Sequence, residues 1–305
     1  MPKRNILQGG IPLWPKIVYN LHMLTTVPSE LEGAFPQRPA DANKYSVGTV
    51  AIVGGSAHYP HAPVIAALGA RAAGAGLVQL VVPDASRAAA GALVPEATFT
   101  KLAATCVPPK ADVTVMGMGL GKSVTTEVIV SRLLSGSLGR FVLDADALSV
   151  LAQWYGKNGG YKPSVGQEII LTPHEGEAAR LLGCKHEDVS TDRRTAIAEI
   201  VSRYGATVVL KGRGTLVMSA DGHDVYENAT GNPFMALGGM GDLLSGIIGA
   251  RWAYIGRKPF LAAASSVWLH GAASDQVVEN SGDPSISSTA LCVGSMRVSL
   301  ERRKV

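Results

Sequence analysis

One stretch combines glycines, a carboxylate and the start of a helix in a way that suits phosphate chemistry. It reads Gly231-Asn232-Pro233-Phe234-Met235-Ala236-Leu237-Gly238-Gly239-Met240-Gly241-Asp242-Leu243-Leu244. The glycines let backbone N–H groups turn toward a ligand. Leu243, Leu244, Ile247 and Ile248 follow at helical spacing, so the positive end of a helix dipole points to the same place and the junction suits an anion. Asp242 then stands beside a bound phosphate, which is electrostatically costly unless it works there, for instance by taking the proton from a hydroxyl that attacks phosphorus. The plainer alternative is that Asp242 only N-caps the helix.

Five other short segments carry polar groups and glycines together. The first is Gly54-Gly55-Ser56-Ala57-His58-Tyr59-Pro60-His61-Ala62. The second, Gly117-Met118-Gly119-Leu120-Gly121-Lys122-Ser123, ends like a P-loop, but a P-loop needs glycine where Met116 stands. It is a glycine-rich turn that lets backbone approach a substrate. The third is Asp144-Ala145-Asp146, with Asp146 placed to cap a helix and Asp144 to orient a lysine or a metal-bound water. In the fourth, Thr172-Pro173-His174-Glu175-Gly176-Glu177, His174 and Glu177 are three apart at a helix start and face the same side. The fifth, Lys211-Gly212-Arg213-Gly214-Thr215, offers two cations and a hydroxyl to nucleotide phosphates, or is a plain tight hairpin.

Each of these five segments follows a short apolar run, at 49–53, 113–116, 141–143, 168–171 and 206–210, with a further run at 77–82. Helical stretches separate most of them; 193–204 shows the period cleanly, with Ile197, Ile200, Val201 and Tyr204 on one face. Strands apolar on both faces and alternating with helices indicate a parallel sheet between helical layers, whose ligands bind beyond the carboxyl ends of the strands. Residues 215–219 and 224–227 flank Asp221-Gly222, a hairpin signal that adds antiparallel strands. From Asp242 onward the chain reads as three helices. Prolines at 2, 12, 15, 28, 36 and 39 break any long helix, so residues 1–43 are expected as an irregular arm on this domain or on a neighbouring subunit, and residues 44–305 as the catalytic domain.

Composition excludes several classes. The net charge of +4 is spread over scattered lysines and arginines without a basic stripe, so no nucleic-acid partner is expected. Pro12 and Pro15 interrupt the apolar stretch near the start, and no apolar segment is long enough to span a bilayer. Cys106, Cys184 and Cys292 form no C-x-x-C pair, which fits a reducing cytoplasm. Small-residue faces such as 262–273 suit packing within one chain or between subunits, and a homo-oligomer is expected.

Together, Gly54-Gly55-Ser56 with Tyr59 and Ala62, the 117–121 loop, Leu143-Asp144-Ala145-Asp146-Ala147-Leu148, Thr172-Pro173-His174 with Glu177, the 211–215 loop and the stretch ending at Asp242 resemble the ADP/ATP-dependent NAD(P)H-hydrate dehydratases. These belong to the ribokinase-like superfamily, and the motifs stand in family order over residues 48–297. The resemblance implies an α/β fold: three layers, α/β/α, with a central mostly parallel sheet and some antiparallel edge strands. It implies repair of hydrated NADH or NADPH by phosphorylation of the ring hydroxyl and loss of phosphate, with ADP or ATP and Mg2+ as cofactors. By analogy Asp242 is the base, and the N–H groups of Gly239, Met240 and Gly241 stabilise the transferred phosphoryl group. Lys211, Gly212, Arg213, Gly214, Thr215, Gly241 and Asn232 contact the nucleotide. Ala62, Gly119, His174 and Asp242 line the hydrated-dinucleotide site, and Glu177 with Asp144 places the magnesium through water.

Some family members carry an N-terminal epimerase domain; about forty residues precede the match here, so the dehydratase alone is expected. Phe234 stands where the family pattern leads one to expect glycine, His61 where glycine is often found, and Met240 where threonine is frequent. A small-molecule kinase of the same superfamily, acting on a sugar, vitamin or thiazole alcohol, shares the anion hole and Asp242. It differs in product, and this chain has no obvious early strand pair to form a sugar-kinase lid. A silent nucleotide binder needs no base at all.

Overall fold

Strand residues that are apolar on both faces need cover on both faces, and the computed structural model shows how this chain supplies it. It describes residues 27–281 apart from 108, 137–138 and 159–161. The order is β1 (Thr49–Val53), α1 (Ala62–Ala72), β2 (Leu77–Val82), α2 (Asp84–Leu93), β3 (Thr98–Lys101), β4 (Val113–Met116), α3 (Val124–Gly136) and β5 (Gly139–Leu143). Then follow α4 (Asp146–Asn158), β6 (Gln167–Leu171), α5 (Glu175–Leu182), α6 (His186–Thr191), α7 (Arg193–Tyr204), β7 (Thr207–Leu210), β8 (Leu216–Met218), β9 (Val225–Glu227), α8 (Met240–Ile255) and α9 (Pro259–Ser281). The nine strands form one sheet in the order β3-β2-β1-β4-β5-β6-β7-β8-β9. Pairing is parallel from β3 to β7, and β8 and β9 join antiparallel through the turn at Asp221-Gly222.

Alternate strand residues feed two separate cores, as a period of two demands. Val50, Ile52, Val113, Val115, Val142, Ile170 and Val209 pack with α1, α8 and α9 on one face. Val53, Met116, Leu143, Leu171, Val208 and Leu210 pack with α3, α4, α5 and α7 on the other. The fold is therefore the three-layer α/β/α architecture with a mostly parallel sheet and antiparallel edge strands. The apolar face of α7 is Ile197, Ile200, Val201 and Tyr204, all buried.

Two features differ from the periodicity reading. β3, with the sequence Thr-Phe-Thr-Lys, is an edge strand too polar to give a hydrophobic signal. After Asp242 the described residues contain two helices, and the third expected one falls outside them. Residues 29–34 of the N-terminal arm make a 3-10 helix, and the described part of the arm docks on its own chain. The Arg251 guanidinium donates to the Ala34 carbonyl and stacks over the Phe35 ring, which meets Trp268 edge-on. The small residues Ala262, Ala263, Ala264 and Ala273 of α9 are buried within the chain as well.

The position of α8 matters most for the site. Its Gly246 passes so close to α1 that a Cβ there would lie 1.8 Å from the Ala66 carbonyl oxygen. Only glycine allows that approach, and the first turns of α8 reach Asp144 and Lys211, just beyond the carboxyl ends of β5 and β7.

Candidate active site

The sheet order puts the five loops side by side, because β1, β4, β5, β6 and β7 are consecutive and parallel. Backbone hydrogen bonds continue past the strand ends: Gly117 N–H donates to Val53, Asp144 N–H to Met116, Thr172 N–H to Leu143 and Lys211 N–H to Pro173. His174 and Lys211 remain bridged beyond β6 and β7.

At the centre of this edge is a charged cluster. Asp144, only 2% exposed, accepts from Lys211 Nζ at 2.7 Å and from Ala145 N–H through Oδ1, and from the Ser245 hydroxyl through Oδ2 at 2.7 Å. Of the alternatives left open for Asp144, the lysine is the partner it holds. Glu177 Oε2 lies 3.8 Å from the same Lys211 Nζ. Burial opposes the charge on Lys211, yet Asp144, Glu177 and Asp242 outweigh it and hold the ammonium above the usual lysine range. The head group thus points into the cluster, while the rest of the 211–215 loop lies nearer the surface.

Ala145 takes a positive φ of 51°, unusual for a residue with a Cβ. This turn sends the two neighbouring carboxylates in different directions. The sequence places Asp146 as a helix cap; in the structure it is instead the first residue of α4, and its carboxylate accepts from Gly121 N–H at 2.8 Å, tying down the loop after β4.

Asp242 sits in the first turn of α8, whose N-cap is Gly239 at φ 92°. A residue with a side chain rarely adopts that backbone, and no side chain caps the helix. The capping alternative for Asp242 therefore drops away. Of the first N–H groups of α8, that of Met240 makes a long 3.4 Å bond to the Leu237 carbonyl, while those of Gly241 and Asp242 have no acceptor inside the helix, which suits an anion. Burial, reinforced by Asp144, Glu177 and Asp146 and only partly offset by Lys211, pushes the Asp242 carboxyl up to about 7. A carboxylate poised near neutrality is suited to general-base work. The arrangement can hold a phosphoryl group on helix N–H groups beside a cation and take a proton next to it.

On one flank, Gly119 and Ala62 come together: a Cβ on Gly119 would lie 3.0 Å from the Ala62 Cβ and 2.8 Å from that of Tyr59. His174 is the N-cap of α5. Its Nδ1 accepts from Gly176 N–H at 3.0 Å, and Glu177 returns the bond by accepting from His174 N–H at 2.9 Å. The imidazole side chain is 57% exposed, with Nε2 3.6 Å from Glu177 Oε1. Partial burial lowers its pKa, against the pull of Glu177. Phe234 and His61, the departures from the family pattern, are both exposed.

On the other flank, the 211–215 loop is held by a residue that carries no sequence signal, Arg193. Its guanidinium donates to the carbonyls of Arg213 at 2.6 Å, Gly214 at 3.0 Å and Leu210 at 3.0 Å, and lies 3.1 Å from Glu175 Oε1. The Thr215 hydroxyl donates to Gly212 within the loop. Asn232 is engaged with α9: Nδ2 donates to Ser274 Oγ and Asp275 Oδ1, and Oδ1 accepts from Phe234 N–H. Its amide anchors the glycine-rich stretch. Ser245 is a second functional residue outside the sequence motifs, although its place one turn after Asp242 is a usable cue.

The donor set for a metal is limited. Among the described residues no group of three or more His, Cys, Asp or Glu side chains is arranged to hold an ion. Both Asp144 oxygens already accept from protein donors, and Glu177 accepts from the backbone. These carboxylates fit Mg2+ as an ion that keeps its waters and is held mainly by phosphates.

Comparison with known proteins agrees with this geometry. Residues 50–294 match the family model described as NAD(P)H-hydrate dehydratase. The chain is 40% identical over 257 residues to the ADP-dependent (S)-NAD(P)H-hydrate dehydratase of Neisseria meningitidis, covering 81% of this chain and 83% of that protein. It is 37% identical over 271 residues to the bifunctional NAD(P)H-hydrate repair enzyme of Coxiella burnetii, covering 86% of this chain but 53% of that longer protein. Among solved structures, the ADP/ATP-dependent NAD(P)H-hydrate dehydratase of Bacillus subtilis, co-crystallised with ATP and Mg2+, superposes with a TM-score of 0.78 at 26% identity, over 88% of this chain and 94% of that one. With four-fifths of its length matched to one family and the charged cluster in place at the strand ends, the chain belongs to the NAD(P)H-hydrate dehydratase family.

Proposed function

We propose that this chain converts hydrated NADH or NADPH back to the dihydronicotinamide, using ADP or ATP. The observation that carries the reading is Asp242, a base poised near neutral pH in the first turn of α8 beside the Lys211 ammonium. In the first step Asp242 takes the proton of the ring hydroxyl as that oxygen bonds to the terminal phosphorus of the nucleotide, whose bridging P–O bond breaks. The N–H groups of Gly239, Met240 and Gly241 stabilise the charge on the transferring group. In the second step the C–O bond to phosphate breaks, the electron pair leaves with the phosphate, and loss of a proton from the adjacent carbon restores the ring double bond.

Ala62, Gly119 and His174 line the nicotinamide side in this reading, and residues 211–215 with Gly241 and Asn232 form the nucleotide side. Asn232 acts there by anchoring the loop to α9. Mg2+, when bound, neutralises phosphate charge, with Glu177 and Asp144 reached through its waters. The reading places the enzyme in the cytoplasm, where Cys106 and Cys184 stay as the free thiols they are in the structure. It takes the working form to be a homo-oligomer, which light scattering on purified protein tests.

The deciding assay mixes hydrated NADH with enzyme, Mg2+ and either nucleotide. Dihydronicotinamide absorbance should recover with release of inorganic phosphate. No recovery with either nucleotide overturns the proposal, and a stable phosphorylated alcohol as product would move the chain to the kinases.

A further inference from the structure

Two buried serines of α9, Ser265 and Ser266, donate to the Ala262 carbonyl one turn back, at 3.2 and 2.6 Å. That is the nearest partner a helix offers a serine hydroxyl. Ser245, fully buried in α8, does not use it. Its hydroxyl leaves the helix for Asp144 Oδ2, 101 positions away and 2.7 Å distant.

The destination explains the choice. The other Asp144 oxygen holds Lys211 Nζ at 2.7 Å, and that ammonium lies 3.3 Å from the point a Cβ on Gly241 would occupy. Ser245 is three residues after Asp242, one turn deeper on the same side of α8. One helix therefore carries both the base at its mouth and the hydroxyl that locks the carboxylate behind the lysine. Without the hydroxyl, the donors left on Asp144 among the described residues are both on Oδ1, and the carboxylate is less restrained about its terminal torsion.

We infer that Ser245 is a positioning residue: acting through Asp144, it fixes the Lys211 ammonium against the first turn of α8, where the phosphoryl group is transferred. Its effect on rate rests on the proposed function; its effect on Lys211 does not.

The test compares the parent enzyme with Ser245→Ala and Ser245→Thr in two measurements. Reductive methylation with formaldehyde and cyanoborohydride, read on the Lys211 peptide by mass spectrometry, reports how firmly the amine is held. Steady-state kinetics with hydrated NADH and ADP or ATP reports the consequence. Ser245→Ala should methylate several-fold faster and lose about tenfold in kcat, the scale of one hydrogen bond to a charged group. Ser245→Thr, which keeps the hydroxyl, should restore both, and melting curves confirm that each variant is folded. Should the alanine variant fail to fold, Ser245→Cys takes its place. Unchanged methylation, or faster methylation with kcat within about twofold of the parent, or no rescue by threonine, overturns the assignment. A parent enzyme with no turnover on hydrated NADH would remove the proposed function instead, and the methylation comparison alone would then decide the placement of Lys211.

Discussion

Lys211 and Asp144 are 67 positions apart in the chain and 2.7 Å apart in the fold, because β5 and β7 flank β6 in a parallel sheet and deliver their ends to one edge. Two carboxylates, Asp144 and Glu177, face this one ammonium from the protein side. A buried pair is poor evidence for net stability, but removing one partner leaves charge buried without compensation. Lys211→Met should therefore lower the unfolding free energy by about 3–5 kcal/mol in urea titrations. The double variant with Asp144→Asn should lose clearly less than the sum of the single losses. Additive losses would mean that the two side chains do not interact as placed.

Asp242→Asn should keep nucleotide binding, measured by calorimetry, while turnover falls by roughly two or more orders of magnitude, the scale of losing a general base. Near-normal turnover would take Asp242 out of that role.

The pH dependence follows from the same group. Asp242 works as a base when ionised, and its carboxyl is pushed up to about 7. In the proposed reaction kcat/KM should climb with pH through an apparent pKa of about 7 and level off above it. A profile already flat between pH 5 and 8, on the order of three units around that value, would argue against Asp242 as the titrating base.

Stability should respond in the opposite direction. A carboxyl raised from 3.8 to about 7 on folding holds its proton in the native state where the unfolded chain has released it, so stability falls as pH rises across that window. Asp242→Asn removes the penalty. It should melt higher than the parent above pH 7, by at most about 4 kcal/mol in stability, with the difference vanishing below about pH 4. Scanning calorimetry at both ends of the window checks the sign.

Arg193→Ala should loosen the 211–214 backbone, whose carbonyls it gathers, without touching Asp242. Nucleotide Kd is expected to rise about tenfold, the worth of hydrogen bonds to a charged donor, while kcat at saturating nucleotide changes far less. A fall in kcat with unchanged Kd would place Arg193 in the chemistry instead of the scaffold.

Much of the architecture was legible in the chain because a buried parallel strand has to be apolar on both faces. Val50 to Val53, for instance, cannot alternate when both sides meet helices. The turn at Asp221-Gly222 and the amphipathic face of α7 were legible for the same local reason. Edge strand β3 was not, since Thr98 and Lys101 at its two ends are exposed and its polar residues carry no such constraint.

The site divides along the same line. The residues themselves determined that glycine-rich loops would follow five parallel strands, that they would share one edge, and that a carboxylate would stand where a helix begins. Those are consequences of local backbone freedom and of the rule that parallel strands end on one side. Only the tertiary structure decided that Asp242 does not cap its helix, that Asp146 secures a neighbouring loop, that Lys211 turns inward to Asp144, and that Ser245 and Arg193 hold their partners from behind. Such pairings join positions tens of residues apart and depend on strand order, register and the close seat of α8 on α1. Side-chain periodicity along the chain carries no record of them.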